Sequence, residues 1–248
     1  MSFIAIIPAR YSSTRFPGKP LAMIHGKPMI QRVYEQVMKC KQLSNVVVAT
    51  DDDRIEKEVK NFGGHVVMTS EHHQSGTERC AETITHLSEN FNHIINVQGD
   101  EPFIQSSQID LLISCFQNQQ TKIATLIKSI SNNEELFNPN VVKVVIDSHR
   151  DALYFSRSAI PHNRTALEKF WIHLGSYYKH IGIYGYERST LLEIVKLPPG
   201  ELEKTESLEQ LRWLSAGYKI RAAETNEENL SIDTPEDLKR AEKFNHDQ

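Results

Sequence analysis

A basic loop near the start of the sequence carries the residue types needed to hold phosphate groups. It follows the apolar run 3–7 and contains the cations Arg10, Arg15 and Lys19, with the hydroxyl run Ser12–Thr14 between the first two. Arginine offers planar, bidentate donors to phosphate oxygens, lysine offers a mobile point charge, and small residues can turn backbone N–H groups towards an anion. Ligands of open parallel sheets bind beyond the carboxyl ends of the strands. We therefore predict a phosphate site rather than a solvated surface loop.

The loop does not match the glycine-rich phosphate motifs. A Walker A motif needs a glycine where this chain has Ser13, and a serine or threonine after the lysine, where it has Pro20. The dinucleotide pattern G-x-G-x-x-G does not occur here either. We predict that side-chain cations hold the phosphates, and the failed Walker match disfavours a phosphate-transferring kinase.

A second chemical signal follows the apolar run 94–97. The run leads through Gln98 and Gly99 into two carboxylates, Asp100 and Glu101. A carboxylate beside a phosphate site repels the ligand unless a divalent cation lies between them, and Mg²⁺ binds through one or two carboxylates plus substrate phosphates. We predict Asp100 as a first Mg²⁺ ligand. The competing interpretation is that Asp100 or Glu101 caps the following turn.

The residues alone leave other candidate ligands open. Asp233 is a possible second carboxylate, but Asp233 or Thr234 before Pro-Glu-Asp also makes a good helix N-cap. Similarly, Arg79 and the N–H groups of the helix start 74–79 can meet an anion or a base edge, or Ser75 or Thr77 simply caps that helix. The adjacent pair His72 and His73 lacks further ligands at regular spacing and indicates a loop rather than a metal site.

Short apolar runs alternate with amphipathic stretches over the first 120 residues, which indicates βαβ units and a mostly parallel sheet. Strands are predicted at 46–49, 65–68 and 94–97, and helices near Met29, after an Asp51 cap, from Thr77 to Asn90, and around Ile109. Beyond about residue 120 the alternation of strands and helices is lost. Strands are predicted at 122–130, 141–146, 152–156, 180–186 and 219–223, with a turn at 147–151, a polar excursion at 161–178, and helices around Leu208–Leu214 and from Thr234. The turn predicts an antiparallel pair.

Length, charge and cysteine content indicate the class of protein. The 248 residues suffice for one large α/β domain, and the net charge of −4 argues against general binding to nucleic acid. Three cysteines, far apart and odd in number, disfavour a disulfide framework. No run approaches the length of a membrane helix, and the start lacks a signal-peptide pattern. We expect a cytoplasmic protein with no membrane insertion.

The chain resembles the CMP-KDO synthetases, the 3-deoxy-manno-octulosonate (KDO) cytidylyltransferases of lipopolysaccharide precursor synthesis. Long motifs in one order carry the match: Ile6–Leu21, His73–Arg79, Asn96–Pro102, Phe137–Lys143, Tyr154–Arg157, His180–Tyr186, Leu208–Arg212 and Asp233–Leu238. The resemblance implies a Mg²⁺-dependent reaction of CTP with KDO that gives CMP-KDO and pyrophosphate. It also implies a homodimer.

The same resemblance implies the fold and its division. The fold is a three-layer, Rossmann-like nucleotidyltransferase α/β fold with a mostly parallel mixed sheet and a small β-rich excursion for dimerisation. One domain spans 1–248, with a nucleotide-binding part at about 1–120, a sugar-binding and dimerisation part at about 121–230, and a C-terminal helix at 234–245.

The resemblance also assigns the site residues. Those that hold the nucleotide are Ala9, Arg10, Ser13, Arg15, Lys19, Ser75, Gly76, Arg79 and Gln98. Those that bind KDO are Arg157, on its carboxylate, and His180, Tyr184, Glu209 and Gln210. Asp100 and Asp233 bind Mg²⁺ and, with Lys19, support catalysis.

Related activities compete with this interpretation. CMP-acylneuraminate synthesis and sugar-1-phosphate nucleotidyl transfer share the chemistry, but the unbroken run Arg15–Leu21 and the run Tyr154–Arg157 favour KDO. A catalytically silent nucleotide-binding module is disfavoured because a binder does not need Asp100 and Asp233 together with Lys19.

Overall fold

The computed structural model describes residues 1–12, 16–228 and 230–243. In chain order its elements are β1 (Phe3–Ala9), β2 (Met23–Ile24), β3 (Lys27–Pro28), α1 (Met29–Val37), β4 (Asn45–Thr50), α2 (Asp53–Asn61), β5 (Val66–Met68), α3 (Gly76–His86), β6 (His93–Asn96), α4 (Ser106–Ser114), β7 (Ile123–Ser129), α5 (Asn133–Phe137), β8 (Lys143–Ile146), β9 (Ala152–Ser156), α6 (Trp171–Leu174), β10 (Tyr178–Glu187), α7 (Arg188–Ile194), α8 (Glu201–Glu206), α9 (Gln210–Ser215), β11 (Ile220–Glu224) and α10 (Pro235–Ala241). Turns of 3-10 helix lie at Lys19–Leu21, Cys115–Gln117 and Glu168–Phe170.

These elements form two compact units that alternate along the sequence. The first unit comprises Met1–Asp110, Gly185–Val195 and Glu228–Gln248, and the second comprises Leu111–Tyr184 and Lys196–Glu227. Strand β10 begins in the second unit and ends in the first. The division into a nucleotide part and a sugar part stays a prediction.

The first unit is built on parallel strands. Strand β1 pairs in parallel with β4 on one side and β6 on the other, and β4 pairs in parallel with β5. All seven residues of β1 are buried, as expected for a central strand covered on both faces. The prediction of a mostly parallel α/β fold is confirmed. Register places Ile6 opposite Asn96, so β1 and β6 end at the same edge.

The second unit combines parallel and antiparallel pairs. Strands β7 and β11 pair in parallel, while β8 pairs antiparallel with both β9 and β10. The predicted antiparallel pair is thus confirmed, with the backbone N–H of Asp147 donating to the carbonyl of Asp151 across the turn. A separate apolar cluster joins Trp171 and Tyr177 of the excursion to Ile130 and Leu136. The excursion itself contains a 3-10 turn and α6 before β10 begins.

Several local predictions are wrong in detail. Asp52, not Asp51, caps α2: its carboxylate accepts from the Arg54 N–H at 3.0 Å. Helix α3 ends at His86, four residues before the predicted end, because Leu87 has extended backbone. Helices α5, α7 and α8 were not predicted, since five to seven residues span fewer than two helical periods.

The predicted helix at 234–245 is also too long. Helix α10 covers Pro235–Ala241 and ends with Glu242 as its C-cap, while 244 and 245 lie outside the described residues. Within the described part of the chain, every helix is too short or too polar to cross a bilayer.

Candidate functional site

A cavity of about 400 Å³ in the first unit collects the predicted nucleotide and metal residues. Those predicted residues that line it are Ala9, Arg10, Lys19, Ser75, Gly76, Arg79, Gln98, Asp100 and Asp233. Ser13 and Arg15 lie outside the described residues. The lining also includes Pro8, Ser12, Pro20 and Gly99, to which no sequence pattern gave a role. The cavity therefore lies where the carboxyl ends of β1 and β6 meet, as predicted.

Gly99 brings the two strand ends together. A Cβ at this position would lie 2.8 Å from the Pro8 carbonyl oxygen, which is closer than a side chain tolerates. The absence of a side chain lets the segment after β6 pass against the end of β1. Asp100 is thereby placed beside the basic loop. The glycine before the carboxylate was the sequence signal for this close approach.

The side chain of Lys19 joins the two predicted metal ligands. Its Nζ donates to Asp100 Oδ2 at 2.7 Å and to Asp233 Oδ1 at 3.2 Å. Burial by itself would lower the pKa of Lys19, but the charges and hydrogen bonds of Asp100 and Asp233 outweigh it and raise the pKa above its ordinary value. The lysine is therefore charged at neutral pH. Two carboxylates converge on one positive charge, which is the arrangement that a divalent cation also requires.

Asp233 reaches this cluster because its neighbours are fixed on both sides. Ile232 is fully buried against Ile24, Met29 and Phe103, and its N–H donates to the Asp100 carbonyl at 3.0 Å. The residue after it, Thr234, caps α10 by accepting from the Asp237 N–H. Thus Thr234 performs the capping that competed for Asp233, and the Asp233 carboxylate contacts Lys19 instead.

The start of α3 combines a helix cap with a position on the cavity wall, while its contact with the nucleotide stays a prediction. The Ser75 hydroxyl accepts from the Glu78 N–H at 3.2 Å, so the capping interpretation is confirmed. Ser75 and Gly76 nevertheless line the cavity, so the first turn of a helix is presented to it. Beside them, the Gln98 amide is oriented by donating to Asn96 Oδ1 at 3.0 Å. The His73 ring pairs with Glu82, in agreement with the loop interpretation.

Arg79 has a structural partner that the sequence did not reveal. Its side chain is only 1% exposed, its Nη2 lies 2.8 Å from Asp51 Oδ2, and its Nη1 donates to the Thr69 hydroxyl. This ion pair explains why Asp51 does not cap α2. Arg79 therefore lines the cavity, but its positive charge is already paired with Asp51.

We expect Arg79→Met to lower the free energy of unfolding by about 3 kcal/mol, because the Asp51 carboxylate would lose its buried partner. Urea titration of the purified variant measures the change. Adding Asp51→Leu should recover most of the loss, since both charges are then removed. Unchanged stability with weakened CTP binding would instead make Arg79 a ligand residue without this structural role.

In the second unit, two of the predicted sugar residues are neighbours. The rings of His180 and Tyr184 lie 5.2 Å apart between centroids, and Phe155 packs edge-on against His180 at 5.1 Å. Thr125 Oγ1 lies 3.0 Å from His180 Nε2, a partner that the sequence did not suggest. Burial lowers the pKa of His180 to about 3, so the ring is uncharged at neutral pH. Burial first, and then the charge of Glu209, raises the pKa of Tyr184.

Arg157 is held by backbone oxygens rather than by a carboxylate. Its guanidinium donates to the carbonyls of Glu206 at 2.8 Å and Pro139 at 3.1 Å. The Glu206 carboxylate in turn accepts from the backbone N–H of Arg157 at 2.9 Å and from the Ser156 hydroxyl at 2.7 Å. Gln210, at the start of α9, is 5% exposed. No local sequence pattern indicated that Glu206 contacts Arg157.

The protein should become less stable as the pH is lowered, because of His180. A histidine with a folded pKa near 3 and an unfolded pKa of about 6.5 binds its proton more readily when unfolded, so stability is lost as pH falls below 6.5. When the pH is lowered from 7 to 5, we expect the free energy of unfolding of the unmutated protein to decrease by about 2 kcal/mol more than that of His180→Gln. Urea titrations at both pH values test this, with the exposed His173→Gln as the matched control. Equal pH slopes in the protein and in His180→Gln would contradict the assignment.

A second cavity, of about 800 Å³, lies in the second unit. Its walls include Arg150, Arg221 and Glu224, and it contains no predicted site residue. Its size exceeds that of the first cavity, but a candidate site is better identified by converging ionisable groups than by volume. We therefore assign the chemistry to the cavity around Lys19.

Known proteins resemble this chain over nearly its whole length. A family model described as cytidylyltransferase matches residues 4–220. A "3-deoxy-manno-octulosonate cytidylyltransferase" of Parabacteroides distasonis is 54% identical over 248 residues, covering 98% of each chain. One of Bacteroides thetaiotaomicron is 54% identical over 247 residues, again covering 98% of each. A solved CMP:2-keto-3-deoxy-manno-octonic acid synthetase complexed with CTP superposes with a TM-score of 0.91 at 42% identity and covers 98% of both chains.

Proposed function

The chain belongs to the 3-deoxy-manno-octulosonate cytidylyltransferase family, and from this premise we propose that it is an enzyme that transfers the cytidylyl group of CTP to KDO. The products are CMP-KDO and pyrophosphate. The observation that carries the proposal is the Lys19 ammonium between Asp100 and Asp233, at the carboxyl ends of two parallel strands. The solved relative with a TM-score of 0.91 was complexed with CTP, which supports the choice of nucleotide.

The chemistry requires charge stabilisation more than covalent catalysis. The anomeric hydroxyl of the sugar attacks the α-phosphorus in line, a new oxygen–phosphorus bond forms, and the bond to the β-phosphate bridging oxygen breaks. The hydroxyl proton is lost to solvent. Arg10 and Lys19 line the cavity and supply positive charge to the phosphates. No nucleophilic side chain is required, because the hydroxyl displaces pyrophosphate directly.

Asp100 and Asp233 are the residues that would hold Mg²⁺. Their oxygens already converge on one cation, Lys19 Nζ, and hard carboxylate oxygens are the ligands that Mg²⁺ prefers. When bound, the ion would neutralise charge on the phosphate oxygens. The protein's part is to keep both carboxylates aimed at the same point, through Gly99 on one side and Ile232 on the other.

The sugar acid would be bound by the predicted set in the second unit. The neutral His180 ring and the Tyr184 hydroxyl provide hydrogen bonds to sugar hydroxyls, because burial keeps both groups uncharged. Arg157 provides a fixed positive charge for the KDO carboxylate. Its guanidinium is pre-oriented by carbonyl oxygens, and among the described residues no carboxylate forms a salt bridge with it.

The proposal also includes a homodimer that makes this precursor of lipopolysaccharide in the cytoplasm. The family resemblance suggests the assembly, and the excursion at 161–178 offers apolar surface for it. Leu167, Phe170 and Leu174 are 68%, 47% and 64% exposed. Exposed large apolar side chains close together in sequence are typical of an interaction surface.

Pyrophosphate release tests the reaction directly. The purified protein is incubated with Mg²⁺, each of the four nucleoside triphosphates, and either KDO or N-acetylneuraminate. We expect release only with CTP and KDO. Release with N-acetylneuraminate alone would keep the mechanism and change the sugar, whereas absence of release in every mixture would favour a nucleotide-binding module.

A further inference from the structure

Tyr11 forms the narrow neck of the basic loop. The carbonyl of Tyr11 accepts from the Gly18 N–H at 2.9 Å, which joins the two ends of the loop. Gly18 has a φ of +71°, and a Cβ there would lie 3.0 Å from Tyr11 Cζ. The tyrosine ring therefore packs directly against the Gly18 backbone. Arg10 precedes this neck and Lys19 follows it, and both line the cavity.

A second contact of the Tyr11 ring comes from helix α2. The guanidinium carbon of Arg54 lies 3.2 Å from the ring centroid, which is a close cation–π contact. Arg54 is 58% exposed, and it is nevertheless held in one orientation. Its Nε and Nη2 donate to the two Asp52 oxygens at 2.9 and 2.6 Å. A bidentate pair of this kind fixes the plane of the guanidinium.

Asp52 connects this contact to the sheet. Its N–H lies 3.3 Å from the Thr50 hydroxyl at the end of β4, and its carboxylate caps α2. Thr50 is paired in register with Ala9 at the end of β1. A continuous set of contacts thus runs from the sheet through Asp52 and Arg54 to the Tyr11 ring and Gly18.

We propose that Arg54 is a positioning residue for the phosphate site: by packing on Tyr11, it holds the neck that sets the separation between Arg10 and Lys19. Arg54 does not line the cavity and touches no reacting atom. Its effect on the nucleotide is indirect, through the backbone hydrogen bond at the neck. The inference rests on the proposed function, since it names the nucleotide phosphates as the group that benefits.

The test compares Arg54→Ala and Arg54→Lys with Lys60→Ala. Lys60 lies on the same helix and pairs with Glu56 at 2.7 Å, so it controls for loss of a surface ion pair on α2. Hydrogen–deuterium exchange of the Gly18 amide reports on the neck, calorimetry gives the CTP dissociation constant, and steady-state kinetics give KM for each substrate.

In Arg54→Ala we expect Gly18 exchange and the CTP dissociation constant to rise roughly fivefold, with KM for KDO unchanged. Arg54→Lys should recover part of both effects, and Lys60→Ala should resemble the unmutated protein. Unchanged Gly18 exchange in Arg54→Ala overturns the proposal, as does faster exchange without weaker CTP binding. If the unmutated protein binds no CTP, the proposed function fails, and the exchange rates still decide whether Arg54 holds the neck.

Discussion

Replacement of Asp100 by asparagine is expected to reduce turnover about a thousandfold while the protein remains folded. Asparagine has nearly the same shape but no charge, so it weakens both the pairing with Lys19 and the binding of a divalent cation. Asp233 keeps its contact with Lys19. The measurement is kcat for CMP-KDO formation at saturating Mg²⁺, with thermal unfolding to check the fold.

The control for this variant is Asp53→Asn. Asp53 is an exposed aspartate in the first turn of α2, so the same chemical change is made outside the cavity. Its turnover should match that of the unmutated enzyme. If Asp100→Asn keeps more than about a tenth of the turnover, Asp100 does not supply a charge essential to the transition state.

Lys19→Gln should have two opposite effects. Turnover should fall about a hundredfold, because a positive charge is lost from the phosphate site. Binding of Mn²⁺, used as a probe without nucleotide, should become about tenfold tighter, because the ammonium no longer occupies the point between Asp100 and Asp233. Electron paramagnetic resonance titration of free Mn²⁺ measures the second effect.

Lys27→Gln provides the matched comparison for this experiment. Lys27 forms an exposed pair with Glu35 at 2.6 Å, so its removal alters the net charge equally. Mn²⁺ affinity should be unchanged in that variant. Equal or weaker Mn²⁺ binding in Lys19→Gln would mean that Lys19 and the metal do not compete for one position.

The sequence was informative wherever a local pattern and a topological rule agreed. The apolar runs before Arg10 and Asp100 predicted two strand ends, and the rule for parallel sheets placed both at one edge, as the cavity confirms. Asp233 could be linked to Asp100 only through the family resemblance. From residues alone, its position before a helix start had an equally good explanation as a cap.

Contacts between distant segments were not predictable from spacing. Asp51 and Asp52 are equivalent as candidate caps in the sequence, and only the buried position of Arg79 decides between them. Glu206 and Arg157 are 49 positions apart, so no periodicity joins them. Likewise, the packing of Arg54 on Tyr11 depends on the pairing of β1 with β4, which fixes where α2 begins.

The alternation of the two units along the chain has a consequence for the order of folding. Lys19 and Asp233 are separated by 214 positions, and the whole second unit is synthesised between them. Closing so long a loop costs little additional entropy, but contacts of this kind form late compared with local ones. Early folding intermediates can therefore contain the basic loop and Asp100 but not the second carboxylate. A partly folded molecule would bind phosphate without completing the reaction, so activity appears only when distant segments have docked.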